Sequence, residues 1–299
     1  MYRMKQISLT AMANFRRWRS NPQVWLAFGL GFVICFLLSN KVLLFAQEHN
    51  TILQVLEPFI WTFGDANSIL LVSLCLLLLF ADMPNVSNEV PLFLVRMNRM
   101  NWMLGQILYM VLGTLAFVGF ILVSTCLLAG LHAYSANLWS DTAAILGYSQ
   151  IGKKIAVPAF VKVLELSFPY PCMLHIFGLM LGYSVFMAGL ILYLNLWKGN
   201  YGMIGGIAFS GFGFLLNPEV IANWFHIPLE RIRIANIIFG WISPLNHATY
   251  YMHNFGYDNL PKLWVSYVFF ILGSLILFGL SLWKIQTYAF QFTGTQNIT

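Results

Sequence analysis

Asp82–Trp102 reads DMPNVSNEVPLFLVRMNRMNW and interrupts an otherwise oily chain. It holds two prolines, four asparagines, two acids and two arginines. The runs on either side are almost wholly apolar, and about 20 such residues cross a bilayer. A polar break between two such runs reads as a loop at one membrane face. The fold class turns on this stretch: an all-α polytopic membrane protein of about six transmembrane helices, one transmembrane domain over residues 1–299.

Composition agrees. The chain is 59% hydrophobic and only 9% charged, with a mean hydropathy of +0.74. A soluble domain carries about a quarter charged residues, so water is the wrong solvent for this surface. The aromatic share of 16% suits belts at the membrane interfaces. Cys35, Cys75, Cys126 and Cys172 form no CxxC pair and read as small core hydrophobes.

Upstream of the loop, the second span ends at Ala81 and must begin near Phe59 to be long enough. Asp65 then lies in its outer third, where it reaches water or makes a polar contact in a cavity. Gln47–Glu57 is a short outer loop. The first span runs from Val24 to Ala46, and Ser20-Asn21-Pro22 starts it with a capping side chain and a proline in the first turn. Its length, with no small-x-small site after it, argues against a cleaved signal peptide. In Met1–Ser20, Met4, Ile7, Ala11, Phe15 and Trp18 recur at helical steps, with Lys5, Arg16, Arg17 and Arg19 largely off that stripe. This predicts an N-terminal amphipathic helix over residues 1–20, lying on the lipid surface with Arg16, Arg17, Trp18 and Arg19 at the headgroups. An ordinary basic flank of the first span is the plainer reading.

Downstream, the third span is Met103–Leu131. An outer loop, residues 132–172, follows and can hold a short helix within Thr142–Ser167. The fourth span is Met173–Leu196, and after a tight turn the fifth is Tyr201–Leu216, barely long enough. Gly178 and Gly182, then Gly202 and Gly206, are spaced for close helix packing in lipid, within the chain or against a second subunit. Residues 219–261 contain apolar pieces too short to span, which reads as re-entrant or interfacial helices before the last span. That span is Leu263–Trp283.

With both termini inside, the inner side holds nine cations against two acids, and the outer side seven against eight acids. The inner cations sit on short segments beside span ends, where positive charge orients a membrane protein. The net charge of +6 therefore speaks for a multi-pass protein of the cell membrane with cytosolic termini, and for lipid rather than nucleic acid as partner.

Motifs for chemistry are weak. Gly147–Lys153 matches the start of a phosphate-binding loop, but Lys154 stands where that loop needs a Mg²⁺-holding hydroxyl. His247 and His253, six apart, point to different sides of a helix, and no metal site is expected. Apart from Asp65 the spans are nearly free of ionisable groups, so ion-driven transport lacks its usual residues.

Several stretches resemble the permease subunit of ABC-2 type ABC transporters, the type V exporter architecture. Asn14–Arg19 is similar to the family's elbow helix. Phe80–Pro84, Arg96–Arg99 and Trp102–Gln106 resemble the loop between the second and third spans of some Gram-positive members. Ser243–Ala248, with Pro244 and His247, resembles the Pro-Leu-x-His pattern before the last span. The outer segment 132–172 is longer than in the plainest members.

The resemblance implies a non-catalytic permease subunit of an ATP-driven exporter. A second permease chain, the same or different, would complete the substrate pathway, and separate ATPase subunits would carry ATP and Mg²⁺. Residues 82–102 would be the cytosolic coupling loop. Asn88 would cap a helix starting near Pro91, after Pro84. Leu92, Phe93, Val95, Met97 and Met100 would offer apolar contact. Arg96 and Arg99, three apart on one face, would pair with a partner's acids or anchor the loop to lipid phosphates. Two other readings stand beside it: a polytopic membrane enzyme acting on lipid or isoprenoid groups through residues 219–258, and a non-transporting immunity or sensor protein.

Overall fold

Local capping chemistry sets where the long helices begin. In the computed structural model, Asn21 accepts a hydrogen bond from the Gln23 backbone N–H at 2.9 Å, and Pro22 takes the first helical position. Asn98 accepts from Met100 N–H and starts another helix. Pro169 begins a third without a side-chain cap. The structure describes all residues except 1, 87–89, 131–132, 150, 156, 158–159, 200, 257 and 291–299.

In chain order the helices are α1 (Tyr2–Arg16), α2 (Pro22–Glu48), α3 (Glu57–Phe63), α4 (Ala66–Phe80), α5 (Val90–Arg96), α6 (Arg99–Ala129), α7 (Asp141–Tyr148), α8 (Ile151–Lys154), α9 (Val161–Leu166), α10 (Pro169–Trp197), α11 (Tyr201–Leu215), α12 (Pro218–Trp224), α13 (Ile232–Ile242), α14 (Pro244–Ala248) and α15 (Leu263–Lys284). Four of them, α2, α6, α10 and α15, are long and apolar enough to cross a membrane. The number rises to six if each of two bent pairs, α3 with α4 and α11 with α12, counts as one span. The chain is thus a helical protein with the marks of a membrane protein.

One bend corrects the expected second span, while α11 matches the expected fifth span to within one residue and the other bend follows it. The axis turns by 88° between α3 and α4. The turn falls at Gly64 and Asp65, where the Asp65 carboxylate caps α4 by accepting from Asn67 N–H at 3.1 Å. The other carboxylate oxygen accepts from the Tyr251 hydroxyl at 3.0 Å. Asp65 therefore breaks the span instead of riding inside it. Likewise Asn217 caps α12 by accepting from Val220 N–H, and the chain turns by 87° after α11. Two short strands also depart from the purely helical expectation: Leu53–Gln54 pairs in parallel with Ala133–Tyr134. Glu57, expected in an open loop, is fully buried beside them and accepts from Ser140 N–H at 2.8 Å.

Helix packing follows small residues. A Cβ on Gly182 would lie 3.1 Å from Phe270 Cβ, and one on Gly178 would lie 3.0 Å from the Tyr267 hydroxyl, so both face α15. Gly206 sits against Leu77 of α4 and Ile191 of α10. Gly202 sits against the Ile191 carbonyl and the Asn195 side chain. All these contacts are within the chain.

Candidate functional site

The polar loop after α4 is fastened at both ends. At its start, buried Asn195 of α10 donates from one Nδ2 to the carbonyls of Ala81, at 2.8 Å, and Met83, at 2.6 Å. Its Oδ1 accepts from the Gly202 backbone N–H at 2.8 Å. One amide thus joins α10, α11 and the first residues of the loop, and the missing Cβ of Gly202 leaves room for it. Met83 and Pro84 are buried there. Asn88 lies outside the described residues.

The far end is held by α1. Gln6, Thr10, Asn14 and Trp18 recur every fourth residue, which puts them on one helix face. Gln6 donates to the Arg96 carbonyl at 3.1 Å and accepts from Asn101 Nδ2 at 2.8 Å. The Thr10 hydroxyl reaches Met97 Sδ at 3.5 Å. Asn14 donates to Gln106 Oε1, and Trp18 Nε1 to the Tyr109 hydroxyl, both at 2.8 Å. Gly105 lets the backbones close in: a Cβ there would lie 2.5 Å from Thr10 Cβ.

Most of the expected apolar stripe lies on this inward side too: Ile7, Phe15 and Trp18 are half-buried and only Met4 of the stripe is exposed. The polar ladder of α1, with Ala11, faces α6, while Leu9 and Met12 are exposed. A pure hydrophobic-stripe reading misses the ladder, because side-chain hydrogen bonds and small residues join helices in an apolar solvent. Arg16 and Arg19 are exposed, Arg17 is half-buried, and Trp18 packs 5.0 Å from Phe15 as well as bonding to Tyr109.

Between these fastenings lies α5. Arg96 and Arg99 do not share a helix face: α5 ends at Arg96, and Asn98 caps a new helix at Arg99. Arg99 Nη1 donates to the carbonyls of Gln286 and Tyr288, each at 3.1 Å, and its guanidinium lies 5.3 Å from the centre of the Phe290 ring. It is therefore committed to the segment after α15. Met100 Sδ accepts from Gln286 Nε2 at 3.7 Å, so Met100 belongs to the same joint. Arg96 is exposed, as are Leu92 (70%) and Val95 (86%). A groove of about 580 Å³ opens between α1 and α5, lined by Leu9, Leu92, Phe93 and Met97 with Lys5 and Arg96 at its rim. An apolar floor with cations beside it can hold an apolar group that carries negative charge.

At the other end of the bundle, Pro244 begins α14 behind the cap Ser243, and all five residues of α14 are buried. His247 and His253 do not point apart. His247 Nδ1 and His253 Nε2 each lie 2.7 Å from Ser266 Oγ on α15. Spacing missed this because the chain leaves the helix after Ala248 and doubles back. All three side chains are buried, inside the packing and away from any open surface. No group of three or more His, Cys, Asp or Glu side chains stands together as metal ligands among the described residues.

Comparison with known proteins gives no match: no family model, no curated protein and no solved structure matches this chain.

Proposed function

We propose that this chain is the membrane-spanning permease subunit of an ATP-driven exporter of the ABC-2 type. In this reading α1 is the elbow helix on the cytosolic surface of the cell membrane, and both termini are cytosolic. Segments 132–172 and 219–261 lie outside. A second permease chain completes the substrate pathway, and separate ATPase subunits carry ATP and Mg²⁺. The cargo is lipidic, peptidic or an amphipathic drug, because the long helices offer few charges to a hydrophilic one.

One observation carries the reading. The short helix α5 is tied to α1 by the Gln6–Arg96 hydrogen bond and joined to α6 through a two-residue break capped by Asn98, yet it leaves Leu92 and Val95 exposed beside Lys5 and Arg96. Exposed apolar side chains on a braced frame are suited to receive a push from another protein and pass it into a span. Arg99, held by the C-terminal carbonyls, belongs to the frame and not to the contact.

The test is co-purification of the detergent-solubilised chain with an ATPase subunit, followed by ATPase assay in vesicles. Val95→Glu with Arg96→Glu should cut the stimulated ATPase rate at least about tenfold while the melting temperature holds, since exposed substitutions stay within about 0.5 kcal/mol. A chain that never brings down an ATPase overturns the reading.

A further inference from the structure

The buried line that ends segment 239–253 has too few hydrogens. It runs from the Trp241 carbonyl through His247, Ser266 and His253 to the Tyr250 carbonyl. His247 Nε2 lies 3.1 Å from Trp241 O, and His253 Nδ1 lies 3.0 Å from Tyr250 O. With the two 2.7 Å contacts on Ser266 Oγ, that makes four contacts at hydrogen-bond distance. A carbonyl brings no hydrogen, each neutral imidazole brings one, and the hydroxyl brings one. Three hydrogens cannot fill four contacts. Whichever tautomers are chosen, two lone pairs face each other somewhere along the line, whose contacts are buried except the part-buried one at the Trp241 carbonyl, and an unmade buried contact is costly.

We propose that His247, Ser266 and His253 together form a binding site for a single proton. The arrangement that fills every contact places it on His247. Its Nε2–H donates to Trp241 O and its Nδ1–H to Ser266 Oγ. Ser266 then donates to Nε2 of a neutral His253, whose Nδ1–H donates to Tyr250 O.

The surroundings favour His247 as the charged partner. The Phe269 ring stacks on it at 5.0 Å and offers its negative face. On the His253 side stands a cation: Lys162 Nζ of α9 donates to the His253 carbonyl at 2.9 Å and pairs with Asp258 at 2.8 Å. The other titratable groups nearby are committed elsewhere. Asp65 of α4 accepts from Tyr251, and His175 of α10 bonds to Tyr267 of α15 at 3.1 Å. Cys172 of α10 and the Tyr250 hydroxyl are buried. On the α13 side the charged residues are Glu230, Arg231 and Arg233. No carboxylate bonds to either ring among the described residues.

Burial opposes charge on both rings. It lowers His247 and pushes His253 down to about 4, where nearby His247 and Lys162 add to the effect. A second proton is thereby refused, and the unfilled contact supplies the preference for the first. Once bound, the proton ties residues 241–253 to α15.

The site can be read by ¹⁵N NMR of the histidine-labelled full chain in detergent, with His247→Gln and His253→Gln assigning the signals. At about pH 5, His247 should carry hydrogen on both nitrogens and His253 on one. Ser266→Ala should weaken proton binding at His247 about tenfold, a shift of about one pH unit, while Ser266→Thr should keep it. Two neutral rings at about pH 5 overturn the proposal. So does a His247 titration that Ser266→Ala leaves unchanged. If Ser266→Ala fails to fold, the wild-type titration decides alone.

Discussion

The loop after α4 and the segment before α15 are both polar interruptions of an apolar chain, and the protein uses them in opposite ways. Around the loop, Asn195 and Gln6 of α1 donate to backbone carbonyls, and apolar side chains such as Val95 are left outside. Before α15, polar side chains turn inward and bond to one another, and all of α14 is buried. One region is a braced handle and the other a closed lock. Polarity in sequence marks where the chain leaves its apolar runs. It does not say which side of the surface the polar groups will face.

The strongest way to break this comparison is at Asn195. Asn195→Leu leaves two carbonyls and one N–H without a partner, at about 1–3 kcal/mol for each buried group. A loss of about 3–4 kcal/mol is expected, read as a fall in the thermal unfolding midpoint in detergent. A shift as small as that of a surface mutant would show that the loop is not held there. Gly105→Val acts on the other fastening. Its branched side chain meets Thr10 and should cost about 1–3 kcal/mol, with α1 released first, seen as new protease cleavage between α1 and α2. Uniform unfolding instead of selective cleavage would mean that α1 is part of the core and not a brace. The smallest effect belongs to the lock's rim. Lys162 and Asp258 are 25% and 39% exposed, so Asp258→Asn should cost less than about 1 kcal/mol and still less in high salt. A larger, salt-insensitive loss would move the pair from the rim into the lock.

Chemistry that acts over a few residues was legible. Asn21 and Pro22 announce α2, and the apolar runs announce α6, α10 and α15 with ends within about four residues. Asn98 was an equally local signal. As a capping residue it separates Arg96 from Arg99, which their three-residue spacing alone conceals. The bend at Asp65 was not legible from length, because the span-length argument absorbs α3 into a straight helix. Nor was the meeting of His247, His253 and Ser266, or the choice by Asn195 of carbonyls more than a hundred residues away. These depend on where distant helices pack, and local propensity carries no trace of that. In α1 the apolar stripe was legible and mostly lies inward, but it carries no sign that Gln6 and Asn14 beside it bond to the loop and to α6.

The two bends have a consequence for the lipid itself. Helices α4 and α11 have 15 residues each and lie against one another at Gly206 and Leu77. At 1.5 Å per residue each is about 22 Å long, against a hydrocarbon thickness of about 30 Å. Elsewhere the long helices meet that thickness in full. If the short pair crossed alone, the bilayer would have to pinch by about 8 Å or another protein would have to stand in for it. Counted as crossings by themselves, α4 and α11 would be the shortest in the chain, and the bent partners α3 and α12 are what bring each pair to spanning length.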